Sequence, residues 1–183
     1  MTRREIVSSD AEPLILVDEH DNVIGHESKG RCHDGDGLLH RAFSMFVIND
    51  AGDVLLQQRS ADKRLWPMYW SNSCCSHPRR GETLDVATAR RLHEELGLSG
   101  DFEFLYKFQY HARFRDLGSE REMCSVYVGR CDDEPHVNET EIAAWRYIAP
   151  ADLTAELATA PERFTPWFKL EWPRVLARLE KGL

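Results

Sequence analysis

Residues 66–97 read WPMYWSNSCCSHPRRGETLDVATARRLHEELG, and the division of that run decides the fold. Its first part, Asn72 to Pro78, sets Cys75 and His77 two residues apart among turn formers. Its second part is expected to be a helix from Glu82 to Leu96. Thr83 and Asp85 suit the first turn, Gly97 supplies the stop, and Val86, Ala89, Leu92 and Leu96 recur at helical intervals. The other face carries Arg90, Arg91, Glu94 and Glu95. Adjacent glutamates at the end of a helix that follows a Cys-x-His turn are able to hold a hard cation. A nucleophile or base, an imidazole and carboxylates in one short segment indicate an active site.

Working outward, 183 residues with 42% hydrophobic and 10% aromatic content suit one globular domain, expected over residues 13–183 after a polar tail at 1–12. No apolar run approaches the roughly 20 residues needed to cross a bilayer. The opening residues lack the apolar core of a secretory signal, so a cytoplasmic location is expected. Five cysteines, two of them adjacent, lack disulfide-framework spacing and are expected to be free thiols. A net charge of −8 excludes a general affinity for nucleic-acid phosphates, leaving phosphate recognition to local clusters. A monomer or weak oligomer, acting on a small molecule away from membranes, is the expectation.

Before the central run, Leu14–Val17 and Val23–Gly25 form an expected hairpin, and Ala42–Ile48 with Val54–Gln58 a second one around the polar turn 49–53. Between the two, residues 28–41 carry three glycines together with Lys29, His33 and His40, the marks of a functional loop. Arg59, Lys63 and Arg64 form a basic cluster beside Leu65 and Trp66. After the helix, residues 102–114 and 120–129 form a third antiparallel pair, in which Glu120, Glu122 and Cys124 share one face. A strand over 141–148 and a C-terminal helical region from Pro150, with Pro173 as its irregularity, complete an α+β or α/β/α sandwich: a mixed sheet with flanking helices.

The segment Ser76–Leu98 resembles a Nudix box, G-x5-E-x7-R-E-U-x-E-E-x-G-U with U apolar. Glu82, Arg90, Leu92, Glu94, Glu95, Gly97 and Leu98 stand in register, while Ser76 replaces the leading Gly and Arg91 replaces the Glu after the box Arg. That Glu belongs to the magnesium ligands of Nudix hydrolysis, so its loss weighs against pyrophosphate cleavage. The departures, with Asn72-Ser73-x-Cys75-x-His77-Pro78, His33 and His40 seven apart, Glu120-x-Glu122-x-Cys124 and Phe164-x-Pro166-Trp167, resemble the type I isopentenyl-diphosphate delta-isomerases.

That resemblance implies Cys75 and Glu122 as the catalytic pair, with Tyr110 assisting Glu122. It implies a divalent metal, manganese, zinc or magnesium, on His33, His40, His77, Glu120 and Glu122. It further implies a magnesium ion on Glu95 and the Cys75 carbonyl that also contacts the substrate diphosphate. Lys29, Arg59 and Lys63 are then expected at the phosphates and Trp167 over the isoprenoid carbons. Taken singly, each residue has an ordinary reading: a buried thiol, a core indole, a strand-surface carboxylate. Cys74 rivals Cys75 on position alone. A Nudix hydrolase and a non-catalytic metal- or nucleotide-binding module are the competing functions.

Overall fold

The computed structural model describes residues 3–182. In chain order the elements are β1 (Pro13–Val17), β2 (Val23–Ser28), α1 (Lys29–Cys32), β3 (His40–Ile48), β4 (Val54–Arg59), β5 (Trp70–Ser71) and β6 (Cys74–Ser76). There follow α2 (Leu84–Leu96), β7 (Phe102–Phe114), β8 (Gly118–Arg130), β9 (Ile142–Ile148), α3 (Pro150–Thr159) and α4 (Pro166–Leu179).

β3 organises the sheet because it is apolar on both faces. Phe43, Met45 and Val47 pack with Ala87, Leu92 and Leu96 of α2, while Ala42, Phe46 and Ile48 pack with Leu153 of α3 and Phe168 and Trp172 of α4. A strand covered on both sides reads as a continuous apolar run. Along one edge β3 pairs in parallel with β8 over its whole length, from His40↔Glu122 to Ile48↔Arg130. Along the other it meets β1 at His40, β6 at residues 43–45 and β4 at Ile48. β9 and β5 extend the sheet from β4, and β7 closes on β8. The result is the expected α/β/α sandwich around a mixed nine-stranded sheet.

Three expectations change. The hairpin at 42–58 closes only at Ile48↔Val54, after which the strands diverge because β8 and β6 occupy the edges of β3. On α2, Thr83 is the N-cap, its hydroxyl accepting from the Val86 amide, and Gly97 is the left-handed C-cap. The buried face, however, is Ala87, Thr88, Arg91, Leu92, Glu95 and Leu96, with Val86 and Ala89 in solvent. The helix therefore turns two charged residues inward. The segment expected as a polar tail lies along the domain: Val7 is buried, its carbonyl accepts from Arg79 and Arg91, and Asn138 donates to the Glu5 carbonyl.

Candidate active site

Asn72 and Ser73 explain why the sheet splits where it does. The Ser73 hydroxyl accepts from the Val47 amide of β3 at 2.8 Å and donates to the Leu55 carbonyl of β4 at 2.7 Å, holding the two strands apart. Asn72 donates to the Met45 and Cys74 carbonyls and accepts from the Trp167 indole at 3.3 Å. This wedge seats β6 beside β3, with Cys75 directly opposite Ser44. Side chains alternate along a strand, so Cys74 turns to the α2 core while Cys75 faces a cavity. All five cysteines are free. Cys74 does not border the cavity.

The metal-ligand candidates converge from four places. His33 caps α1, His40 opens β3, His77 follows β6, and Glu120 and Glu122 stand two apart on β8. Their ligand atoms all lie within 4.8 Å of one another, and the three rings are 4.8–5.3 Å apart between centroids. His40 Nδ1 lies 2.7 Å from the Leu38 carbonyl, a contact that leaves Nε2 facing the cluster. His33 Nε2 and Glu120 Oε2 are only 2.7 Å apart yet do not align as a hydrogen bond. Both are buried without a partner among the described residues, as is His40 Nε2. Atoms aimed at a shared point rather than at each other fit a cation between them. Burial, reinforced by the neighbouring His33 ring, pushes His40 down to about 4, and it holds His77 well below the usual imidazole range. Neutral imidazole is the ligating form. The donor set of three imidazoles and two carboxylates fits a divalent metal.

Glu122 joins this cluster to the cavity. His77 Nε2 lies 2.9 Å from its Oε1, and the Tyr110 hydroxyl, opposite it on β7, donates to its Oε2 at 2.6 Å. Burial, then the adjacent Glu120, pushes its carboxyl well above the usual range. Glu120 takes the opposite course: burial opposes ionisation, but His33 outweighs it and holds the carboxyl down to about 2. One carboxyl of the pair is thus kept for the proton.

The cavity, about 350 Å³, is walled by Cys75, Glu122, Tyr110, Leu65 and Trp167 and by four cations, Lys29, Arg59, Lys63 and Arg91. Arg59 joins the two sets. Its guanidinium donates to the Leu65 and Trp66 carbonyls at 2.9 and 3.1 Å, lies 3.9 Å from Cys75 Sγ and 5.3 Å from the Trp167 ring centre. Burial pushes the Cys75 thiol up to about 12, against the pull of Arg59. Lys63 and Arg91 share Glu141, Arg91 also holds Glu95 at 3.0 Å, and Lys29 reaches the Ser8 hydroxyl. Burial, then the charges of Lys63 and Arg91, keep Lys29 below the usual lysine range. Four cations thus line one cavity, two of them already paired with carboxylates.

A Nudix domain model matches residues 38–168. Over 167 residues the chain is 45% identical to isopentenyl-diphosphate Delta-isomerase 1 of Photorhabdus laumondii, covering 90% of this chain and 95% of that one. The chain belongs to the isopentenyl-diphosphate Delta-isomerase family. The Serratia proteamaculans member is 44% identical over 86% of this chain and 87% of its own. The fold also matches a Deinococcus radiodurans crystal structure with a TM-score of 0.74, at 24% identity over 89% of this chain and 98% of that one.

For this isomerase-family chain, the structure gathers His33, His40, His77, Glu120 and Glu122 into one cluster, and Cys75, Tyr110, Lys29, Arg59, Lys63 and Trp167 onto one cavity. Glu95 sits behind the wall, held by Arg91 and 3.5 Å from the Gln57 amide. Three contributors escape a reading of the sequence. Arg91 stands out there only as a departure from the box, although its i, i+4 spacing to Glu95 is that of an ion pair. Glu141 anchors two cations, and Ser8, Ser9 and Asp10 border the cavity, without any local signal.

Proposed function

We propose that this cavity interconverts isopentenyl diphosphate and dimethylallyl diphosphate, the reaction for which its relatives are named, with Cys75 and Glu122 as the proton-transferring pair. The supporting observation is that a thiol and a protonation-prone carboxyl border the same cavity, which four cations also line. The diphosphate sits at Lys29, Arg59 and Lys63, and the hydrocarbon lies against Trp167, Tyr110 and Leu65. Glu122 gives its proton to the terminal alkene carbon, and the double-bond electrons form that new C–H bond. The tertiary carbon is left cationic. Cys75, as thiolate or through exchange of its thiol proton, takes a proton from the carbon on the diphosphate side, whose C–H electrons become the new double bond. Glu122 ends ionised and Cys75 protonated.

An unactivated alkene is a very weak base, so the donor must be held in place and water kept out. Tyr110 fixes one carboxyl oxygen of Glu122. Trp167 presents a buried ring to the cation, an attraction worth about 2 kcal/mol when desolvated. His33, His40, His77, Glu120 and Glu122 would hold a divalent ion, manganese, zinc or magnesium, which would supply positive charge beside the carboxyl pair. Glu95, once released from Arg91, and the Cys75 carbonyl would hold a magnesium ion that neutralises the diphosphate. Among the described residues, no helix is long and apolar enough to cross a membrane.

The test is proton NMR of the full chain with isopentenyl diphosphate, magnesium and manganese in heavy water, beside a phosphate-release assay. Deuterated dimethylallyl diphosphate without free phosphate, lost by about 10²–10⁴-fold in Cys75→Ala, is the expected result. Released phosphate or pyrophosphate sinks the isomerase reading in favour of hydrolysis.

A further inference from the structure

Glu171 is a fully buried carboxyl that the reaction just described leaves unused. It lies one helical turn beyond Trp167 on α4, so both side chains leave the same face of that helix toward the sheet. Its neighbours along α4, Phe168 and Trp172, belong to the buried apolar cluster. Two polar groups reach it. The Cys124 thiol donates to Glu171 Oε1 at 3.7 Å and also lies 3.5 Å from the Ser44 hydroxyl, while Oε2 has no partner among the described residues. Tyr106 of β7 donates to the Glu171 carbonyl at 3.4 Å, tying this turn of α4 down onto the sheet.

The trio Ser44, Cys124 and Glu171 occupies a definite place relative to the cavity. Ser44 is directly opposite Cys75 across the β3–β6 ladder, and Cys124 is two residues from Glu122 on the same face of β8. β3 runs between the strands that bear the two proton-transferring residues, and Ser44 and Cys124 stand on the sheet face that those residues share. A carboxyl there is expensive. Burying it half-satisfied costs free energy that a methionine or leucine of similar volume avoids, so packing alone does not favour glutamate at this position. Burial also pushes its carboxyl up to about 8, so near neutrality it is a neutral acid, able to donate as well as accept.

We propose that Glu171 is a positioning residue: through Ser44 and Cys124 its carboxyl fixes the floor on which Cys75 stands, and it does so as a hydrogen-bonding group rather than as a charge. The proposal rests on the isomerase reading for its effect on turnover but not for its effect on Cys75 itself. Two variants of the full chain separate hydrogen bonding from bulk. Glu171→Gln keeps the hydrogen bonds without the acid; Glu171→Met keeps the volume without the hydrogen bonds.

The experiment measures kcat and KM for isopentenyl diphosphate, thermal unfolding, and, without substrate, the rate of iodoacetamide alkylation at Cys75 by peptide mass spectrometry. Glu171→Met is expected to unfold at or above the wild-type temperature and to lose about tenfold in kcat with KM changed less than threefold. It is also expected to alkylate at Cys75 at a rate altered at least threefold. Glu171→Gln is expected to stay within threefold of wild type on every count. An unchanged alkylation rate in Glu171→Met, or a Glu171→Gln that fails as badly as Glu171→Met, overturns the positioning role. A wild-type chain inert toward isopentenyl diphosphate defeats the isomerase reading instead, and the alkylation rates still decide for or against Glu171.

Discussion

The two ends of the cavity treat buried charge in opposite ways. At the His/Glu end, His33 Nε2, His40 Nε2 and Glu120 Oε2 are buried without hydrogen-bond partners among the described residues. At the cationic end, Lys63, Arg91, Glu95 and Glu141 satisfy one another through a closed set of ion pairs. The difference separates two kinds of readiness. The first end is arranged to receive a positive charge and gains from a cation directly. At the second, Lys63 and Arg91 are already paired while Lys29 and Arg59 have no carboxylate partner among the described residues, and an anion entering it competes with Glu141 for Lys63 and Arg91. Binding there is an exchange of partners, which favours a ligand carrying several negative charges over a singly charged one.

The comparison breaks first at Arg91. Arg91→Gln strands Glu95 as a buried carboxylate and leaves Glu141 to Lys63 alone, and removing one member of a buried pair costs about 3–5 kcal/mol. Glu141 makes the cost pH-dependent. Burial opposes its ionisation, but Lys63 and Arg91 hold its carboxyl down to about 2. A carboxyl depressed on folding adds stability above its ordinary pKa, here 4.5, and loses it as pH falls toward 2. Denaturant titrations of wild type and Arg91→Gln at pH 7 and pH 3 are expected to differ most at pH 7, with the gap narrowing in acid. A variant as stable as wild type at pH 7 means that the closed set of ion pairs contributes nothing.

The metal end sharpens the contrast with a smaller effect. Manganese or zinc at 100 times its dissociation constant stabilises a chain that binds it only when folded by about 2.7 kcal/mol. Calorimetry of chelator-stripped protein is expected to show this as a rise in unfolding temperature on adding metal. The rise is expected to vanish in His77→Ala and to persist in Arg91→Gln, since the latter touches only the other end. A rise that persists in His77→Ala places the metal elsewhere.

What the sequence disclosed divides along a similar line. Features written in local spacing were legible: Gly97 as the helix stop, the Glu120/Glu122 alternation, the first and third strand pairs. The candidate residues that the family resemblance names as a set, Glu95 apart, come together in one cluster and one cavity. What depended on long-range contacts was not legible. The Ser73 wedge that opens the second hairpin needs Val47 and Leu55 together, 26 and 18 residues away. The inward turn of Arg91 and Glu95 needs Val7 and Glu141 to receive them. Periodicity favours Val86 and Ala89 for the core because it weighs hydrophobicity, whereas here paired charge fills the helix–sheet interface.

The smallest effect tests how closely the metal end is built. Gly118 opens β8 with φ +147°, and a Cβ placed on it collides with the His33 carbonyl oxygen, the same carbonyl that accepts from the Ser119 amide at 3.0 Å. A side chain at 118 therefore displaces the backbone that carries His33. Gly52, in the turn between β3 and β4, also has positive φ, at 85°, but a Cβ placed on it meets nothing within 4 Å. Alanine costs each position about 1–2 kcal/mol of backbone strain. Only Gly118→Ala is expected to weaken metal binding as well, by about 10–100-fold, the loss typical when a ligand's supporting contact is disturbed. Isothermal titration of both variants with manganese separates strain from placement. Equal affinities mean that His33 tolerates displacement and that the cluster is looser than its buried, unpartnered nitrogens suggest.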